Sequence, residues 1–162
     1  MKTRTVFCAI VAAALMLGCT PSATVSTGPG ALRTKTCPAA VCDAIVTVDD
    51  STTPPTISMY YDVVKMKRGS RNPQINWVLD APDGYEFRAD SIKPHVGAAT
   101  GGKQTTSQAQ WTSQIQFLNV QPTRFRVKNK NDDRVTLYYD VTVYEAATGR
   151  SWTLDPAIMN DP

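Results

Sequence analysis

From Arg134 to Glu145 apolar and polar side chains alternate without a break. Val135, Leu137, Tyr139, Val141 and Val143 take one set of positions, and Thr136, Tyr138, Asp140, Thr142 and Tyr144 the other. A period of two belongs to a strand with one face in a core. Gln74 to Leu79 repeats it, with Ile75, Trp77 and Leu79 opposite Gln74 and Asn76. Arg124 to Lys128 repeats it again, with Phe125 and Val127 opposite three cations. Trp111, Ser113, Ile115 and Phe117 alternate with Thr112, Gln114, Gln116 and Leu118, which predicts a further strand. Ala44 to Val48, Ile57 to Lys67, Tyr85 to Phe87 and Ser151 to Leu154 are shorter candidates.

Turn chemistry separates these runs: Ala81-Pro82-Asp83-Gly84, the basic stretch Lys67 to Pro73, Asn129 to Asp133, and Ala146 to Gly149. Val96 to Gln110 is polar, carries Gly101-Gly102 and predicts a loop; no amphipathic helix of useful length is visible. Seven or eight short strands broken by turns predict an all-β fold, an antiparallel β-sandwich of immunoglobulin-like or cupredoxin-like type.

The N-terminus follows a different rule. Lys2 and Arg4 precede an apolar run from Val6 to Leu17, and Gly18-Cys19 follows. That run, about 12 residues, is too short to cross a ~30 Å hydrocarbon core as a helix. A basic start with a short apolar run reads as a secretory signal. Leu15-Met16-Leu17-Gly18-Cys19 resembles a bacterial lipobox, which implies cleavage before Cys19 and lipid on that cysteine. The competing expectation is ordinary cleavage nearby, which leaves an unanchored protein. Thr20 to Thr36 is rich in Thr, Ser, Pro, Gly and Ala and has no apolar period, so it reads as a flexible tether. The expected organisation is a signal over 1–18, a lipid-bearing tether over 19–36 and one domain over 37–162. Expected localisation is the bacterial cell envelope, membrane-attached through the lipid. Thr20 after the cysteine, in place of a retaining Asp, favours the outer membrane in a double-membrane organism.

Charge narrows the partners. Loss of Lys2 and Arg4 with the signal takes the formal charge from +3 to +1, too little to argue for nucleic acid. The cations are nevertheless grouped. Arg124, Arg126, Lys128 and Lys130 fall at every second position and share one strand face, and Lys65, Lys67, Arg68 and Arg71 gather around a turn. One expectation is a solvated face whose charges discourage edge pairing. The other is contact with an anionic envelope surface or an acidic partner protein, which Tyr138 and Tyr144 could extend.

Outside the cytoplasm the pair Cys37 and Cys42 is expected to form a disulfide. A module handling copper or zinc through Cys37 and Cys42, with Met59 or Met66 as optional further ligands, is the alternative, since soft sulfur ligands suit copper in particular. Catalytic sets are sparse. The single histidine, His95, lies in a Pro/Gly-flanked stretch, and no G-x-S-x-G elbow exists. Asp80 and Asp83 flank a turn, where backbone hydrogen bonding is the expected role. Asn129 to Asp133 has oxygen donors but lacks the glycine and distal glutamate of a calcium loop. No metal site, no cofactor and no enzymatic activity are therefore expected; a small β-sandwich hydrolase using His95 or Asp80 is the weakest alternative.

The C-terminal run Leu154-Asp155-Pro156-Ala157-Ile158-Met159-Asn160-Asp161-Pro162 resembles the signature of the DP-EP family of small bacterial proteins. Asn129-Lys130-Asn131-Asp132, Tyr138 to Val143 and Ile75-Asn76-Trp77 resemble that family too. The resemblance spans Ala44 to Pro162 and implies no activity; the chain carries Asp161-Pro162 where the family name implies Glu-Pro. The order of strands and aromatic turns is also similar to cupredoxins. With one histidine and both mature cysteines ahead of the sheet, that likeness implies shape without a copper centre.

Overall fold

A computed structural model describes residues 32–38, 40–96 and 104–162. Twelve strands and one short helix follow in order: β1 Thr34–Cys37, β2 Val41–Asp49, β3 Thr56–Met59, β4 Val63–Met66, β5 Gln74–Asp80, β6 Tyr85–Glu86, β7 Ile92–Pro94, α1 Gln108–Gln114, β8 Ile115–Gln121, β9 Arg124–Asn129, β10 Thr136–Glu145, β11 Ser151–Leu154 and β12 Ala157–Met159. They form the all-β sandwich that the alternating runs predict. One sheet runs β3-β2-β5-β9-β8. The other runs β1-β4-β12-β10-β11, with β6 and β7 also paired to β10.

Both sheets are mixed rather than purely antiparallel. β1 pairs parallel with β4, β12 with β4, and β2 with β5 over seven residues. A parallel partner is chosen by the whole fold, so local alternation does not reveal it.

The core lies where the two inner faces meet. β5 and β9 bring Ile75, Trp77, Phe125 and Val127; β4, β10 and β12 bring Val64, Met66, Leu137, Tyr139, Val141, Val143 and Ile158, all at most 2% exposed. At ~25 cal/mol per Å² these fully buried side chains supply the dominant stabilising term. Trp77 packs edge-on to both Phe125 and Tyr139, with ring centroids 6.2 and 5.4 Å apart.

Two sequence expectations are corrected here. The domain starts earlier than Cys37, because Thr34 to Thr36 of the expected tether belong to β1 and hydrogen-bond along β4. Its Thr-Lys-Thr composition carries no apolar alternation, so its strand character comes from its neighbour. Residues 108–114, expected as loop and then strand, form α1. Ser107 caps it by accepting from the backbone N–H of Gln110 at 3.1 Å. Trp111, Gln114 and Ile115 are buried at helical spacing, and Trp111 tilts against Tyr139 with centroids 5.8 Å apart. The strand proper begins only at Ile115.

Candidate anion-binding face

β9 places Phe125 and Val127 in the core, both 2% exposed, and turns Arg124, Arg126 and Lys128 outward as half-buried side chains. Lys130 is exposed just beyond the strand. The run from Arg124 to Lys130 extends ~20 Å at ~3.3 Å per residue. None of the four cations lies in an ion pair among the described residues. The Nε of Arg126 is buried and has no hydrogen-bond partner.

The neighbouring edge strand supplies what alternation on β9 alone does not show. Lys128 faces Gln116, Arg126 faces Asn119 and Arg124 faces Gln121. Directly opposite residues point to the same side of a sheet, so each cation stands beside a carboxamide. That match depends on a β-bulge: the register shifts between Phe117 and Asn119, leaving Leu118 as the extra residue. A bulge re-aims the side chains that follow it. Here it lets Gln116, Asn119 and Gln121 share the outer face while Phe117 and Val120 pair with the inward Val127 and Phe125. The amides of β8 were absent from the sequence-level site because nothing local marks Leu118 as supernumerary.

On the other side of β9, Gln74 faces Lys128, Asn76 faces Arg126 and Val78 faces Arg124. Gln74 Nε2 donates to Asn76 Oδ1 at 2.6 Å, and Asn76 Nδ2 donates to Asp43 Oδ1 at 2.6 Å. Asn76 thereby stands between the Asp43 carboxylate and Arg126, and the cations stay unneutralised. The result is a flat surface of guanidinium, ammonium and amide groups. It offers donors for anions and hydroxyls; Phe117, the exposed aromatic among the positions paired with β9, stands with Val127 on the opposite side and packs on Phe125.

The other predicted residues are distributed elsewhere. Tyr138 and Tyr144 stand on β10, in the opposite sheet, so they do not extend the basic face. Tyr144 donates instead to Asp90 Oδ2 at 2.7 Å, under the guanidinium of Arg88. Burial first, then Asp90, pushes the Tyr144 phenol up to about 12. In the second basic group, Lys65 pairs with Asp161 at 3.7 Å, while Lys67, Arg68 and Arg71 are exposed around Gly69. Cys37 and Cys42 are joined as a disulfide, both 1% exposed. In that state neither sulfur is a thiolate, so the pair offers no soft metal ligand. Met59 and Met66 are both buried in the core. Cys19 and the signal lie outside the described residues.

His95 is half-buried after β7, and its Nδ1 lies 2.6 Å from Asp140 Oδ1. The pair holds the imidazole in one orientation, but no Ser, Thr or Cys side chain bonds the ring among the described residues. Asp80 ends β5 in the other sheet, so the structure does not bring it together with His95. The Asn129 to Asp133 turn is an amide knot: Asp132 and Asp133 both accept from Gln114 Nε2, at 2.7 and 3.0 Å. Among the described residues no cluster of three metal-ligating side chains occurs, and no helix is long and apolar enough to cross a membrane.

No family model and no curated protein matches the chain. The reading of function therefore rests on the geometry of this face and on the N-terminal sequence.

Proposed function

We propose that this chain is a bacterial envelope lipoprotein with no catalytic role, attached through lipid on Cys19, whose sandwich binds an anionic component of the envelope through the outer face of β9. The lipobox-like segment Leu15 to Cys19 and the polar stretch after it support the anchor. The C-terminal likeness to the DP-EP family is consistent with this reading and adds no activity to it.

One observation carries the binding surface: three outward cations in a row, each beside an amide in register, with no carboxylate neutralising them. Unpaired cations on a folded face repel one another, and an anionic partner relieves that repulsion. The attraction acts over a Debye length, ~8 Å at physiological salt. It speeds encounter more than it slows release.

The test is the triple variant Arg124→Ser, Arg126→Ser, Lys128→Ser. The fold persists, because Phe125 and Val127 carry the packing. Both proteins carry Cys19→Ser, so that no lipid holds them, and their retention on an anionic envelope fraction is compared across a salt series. The native protein loses binding steeply as salt rises, and the variant binds weakly at every salt. Equal retention of both at low salt rejects the face as a binding surface. Mass spectrometry of the purified chain tests the anchor separately, through acylation at Cys19.

A further inference from the structure

The basic row does not stop at the end of β9. Lys130, in the turn just beyond the strand, forms one wall of a cavity of about 510 Å³ between the turn at 69–72 and the turn at 130–132. Arg71, from the second basic group, also lines it. Two cation groups far apart in sequence thus meet in one concavity, and neither Arg71 nor Lys130 has an ion-pair partner among the described residues. The volume falls within the ~300–1,000 Å³ range of small-molecule sites.

The walls are braced before any ligand arrives. The backbone N–H of Asn72 donates to the Lys130 carbonyl at 3.3 Å, and Asn131 Nδ2 donates to the Ser70 carbonyl at 2.8 Å. Asn72 and Asn131, with φ of 54° and 52°, are the two non-glycine residues in the left-handed region among those described, and both line the cavity. Asparagine adopts this backbone readily in tight turns, and here it sets the shape of the two loops that form the walls. Asp132 also lines the cavity, with its carboxylate fixed by Gln114 Nε2 at 2.7 Å.

This lining is mixed. Two cations suit one acid group, while the fixed Asp132 carboxylate repels a compact multivalent anion and accepts from hydroxyls. We propose that the cavity holds the terminal residue of an acidic glycan, whose chain continues along Lys128, Arg126 and Arg124 beside the amides of β8. An acidic sugar presents one carboxylate together with hydroxyl donors, as this lining requires. The amide-and-cation face beyond it serves the same chemistry and lacks the stacking aromatics that single-stranded nucleic acid uses. The inference rests on the binding face proposed above and names its ligand class.

The test uses the full mature chain and calorimetric titration with two probes, monomeric galacturonate and an oligogalacturonate. The cavity variant is Arg71→Ser with Lys130→Ser, and the face variant is the triple serine variant. The native chain binds the oligomer more tightly than the monomer. The cavity variant loses monomer binding and weakens on the oligomer about tenfold or more. The face variant keeps monomer binding and loses the oligomer's advantage. Arg71→Lys with Lys130→Arg preserves the charges and restores monomer binding if the cavity is the site. Monomer binding unchanged in the cavity variant overturns the cavity assignment, and the face reading survives if the oligomer still depends on the triple substitution. Oligomer binding lost only in the cavity variant overturns the face reading instead. No binding of either probe to the native chain overturns the glycan assignment; a parallel arm with vesicles of anionic lipid then shows whether the face binds a lipid surface.

Discussion

The indole Nε1 of Trp77 donates a hydrogen bond to the phenolic oxygen of Tyr139 at 3.2 Å, across the interior between the two sheets. Both residues are fully buried. Burial raises the Tyr139 phenol above its ordinary value, so the ring stays neutral as the acceptor. Tyr139→Phe keeps the ring but leaves the Trp77 N–H without a partner. The expected cost is ~1–3 kcal/mol, that of an unsatisfied buried donor. Chemical denaturation followed by tryptophan fluorescence measures it. A loss within error would mean that Trp77 finds another acceptor.

A second buried polar contact ties the chain's last segment to the cavity turn. Asn160 accepts from Asn129 Nδ2 at 2.7 Å and donates to Gln114 Oε1 at 3.0 Å and Asn129 Oδ1 at 3.2 Å. Asn129 Oδ1 in turn accepts the N–H of Asn131 at 3.1 Å. Asn160→Ala removes two partners from an interior that water does not reach. We expect a loss of about 2–3 kcal/mol, with the largest rise in amide exchange at residues 129–132. Exchange that rises evenly over the whole domain would show that the turn is not held by this contact.

The legible part of the fold was its two-residue alternation. β5, β9 and β10 each bury one residue set and leave the other mostly half-buried, with Asn76 and Thr142 the buried exceptions; that pattern is written in the sequence because a sheet side is a local property. Pairing partners are not local, so the parallel alignment of β2 with β5 was hidden. α1 was hidden by coincidence: Trp111 and Ile115 fit both a period of two and a helical turn. Ser107 and Gln110 form the S-x-x-Q signature of a helix start, which would have separated the two. For the binding face, the cations were legible from spacing. Their amide partners were not, because the match depends on one extra residue in β8. The approach of Arg71 to Lys130 was likewise beyond reach, since only the closed sandwich joins those turns.

Alkaline pH tests the outer surface of the other sheet. Tyr144, with its phenol pushed up to about 12 by burial and by its bond to Asp90, holds its proton in the folded state beyond the ordinary value of 10.0. A raised folded value gives stability that is whole below the unfolded value and is lost as pH rises through the folded one. Thermal midpoints should therefore fall between pH 10 and about 12. Tyr85, also raised by burial, contributes in the same direction. Tyr144→Phe cannot ionise, so its midpoints should fall less steeply over that window. Parallel curves for the two proteins would mean that Tyr144 ionises alike in both states.

The bulge at Leu118 makes the most direct link between backbone register and binding. The turn at Pro122-Thr123 holds Gln121 opposite Arg124 and so Asn119 opposite Arg126, and the bulge that absorbs Leu118 then lets Gln116 meet Lys128. Deletion of Leu118 with the turn unchanged removes the bulge and leaves every pair in place: Asn119 opposite Arg126, Phe117 opposite Val127 and Gln116 opposite Lys128. Phe117 then keeps its packing on the Phe125 ring, whose centroid lies 5.4 Å away. A one-residue slip exchanges the two faces of a strand, and without Leu118 no slip arises. The deletion variant should therefore stay folded and keep salt-sensitive anion binding. Leu118→Ser is the control. Leu118 is 42% exposed, so this change keeps the extra residue and should alter stability by no more than ~0.5 kcal/mol. If the deletion variant stays folded but loses anion binding while Leu118→Ser keeps it, the local twist of the bulge, beyond the pairing of cations with amides, shapes the site. If both changes weaken binding alike, the leucine side chain rather than the register is what the partner reads.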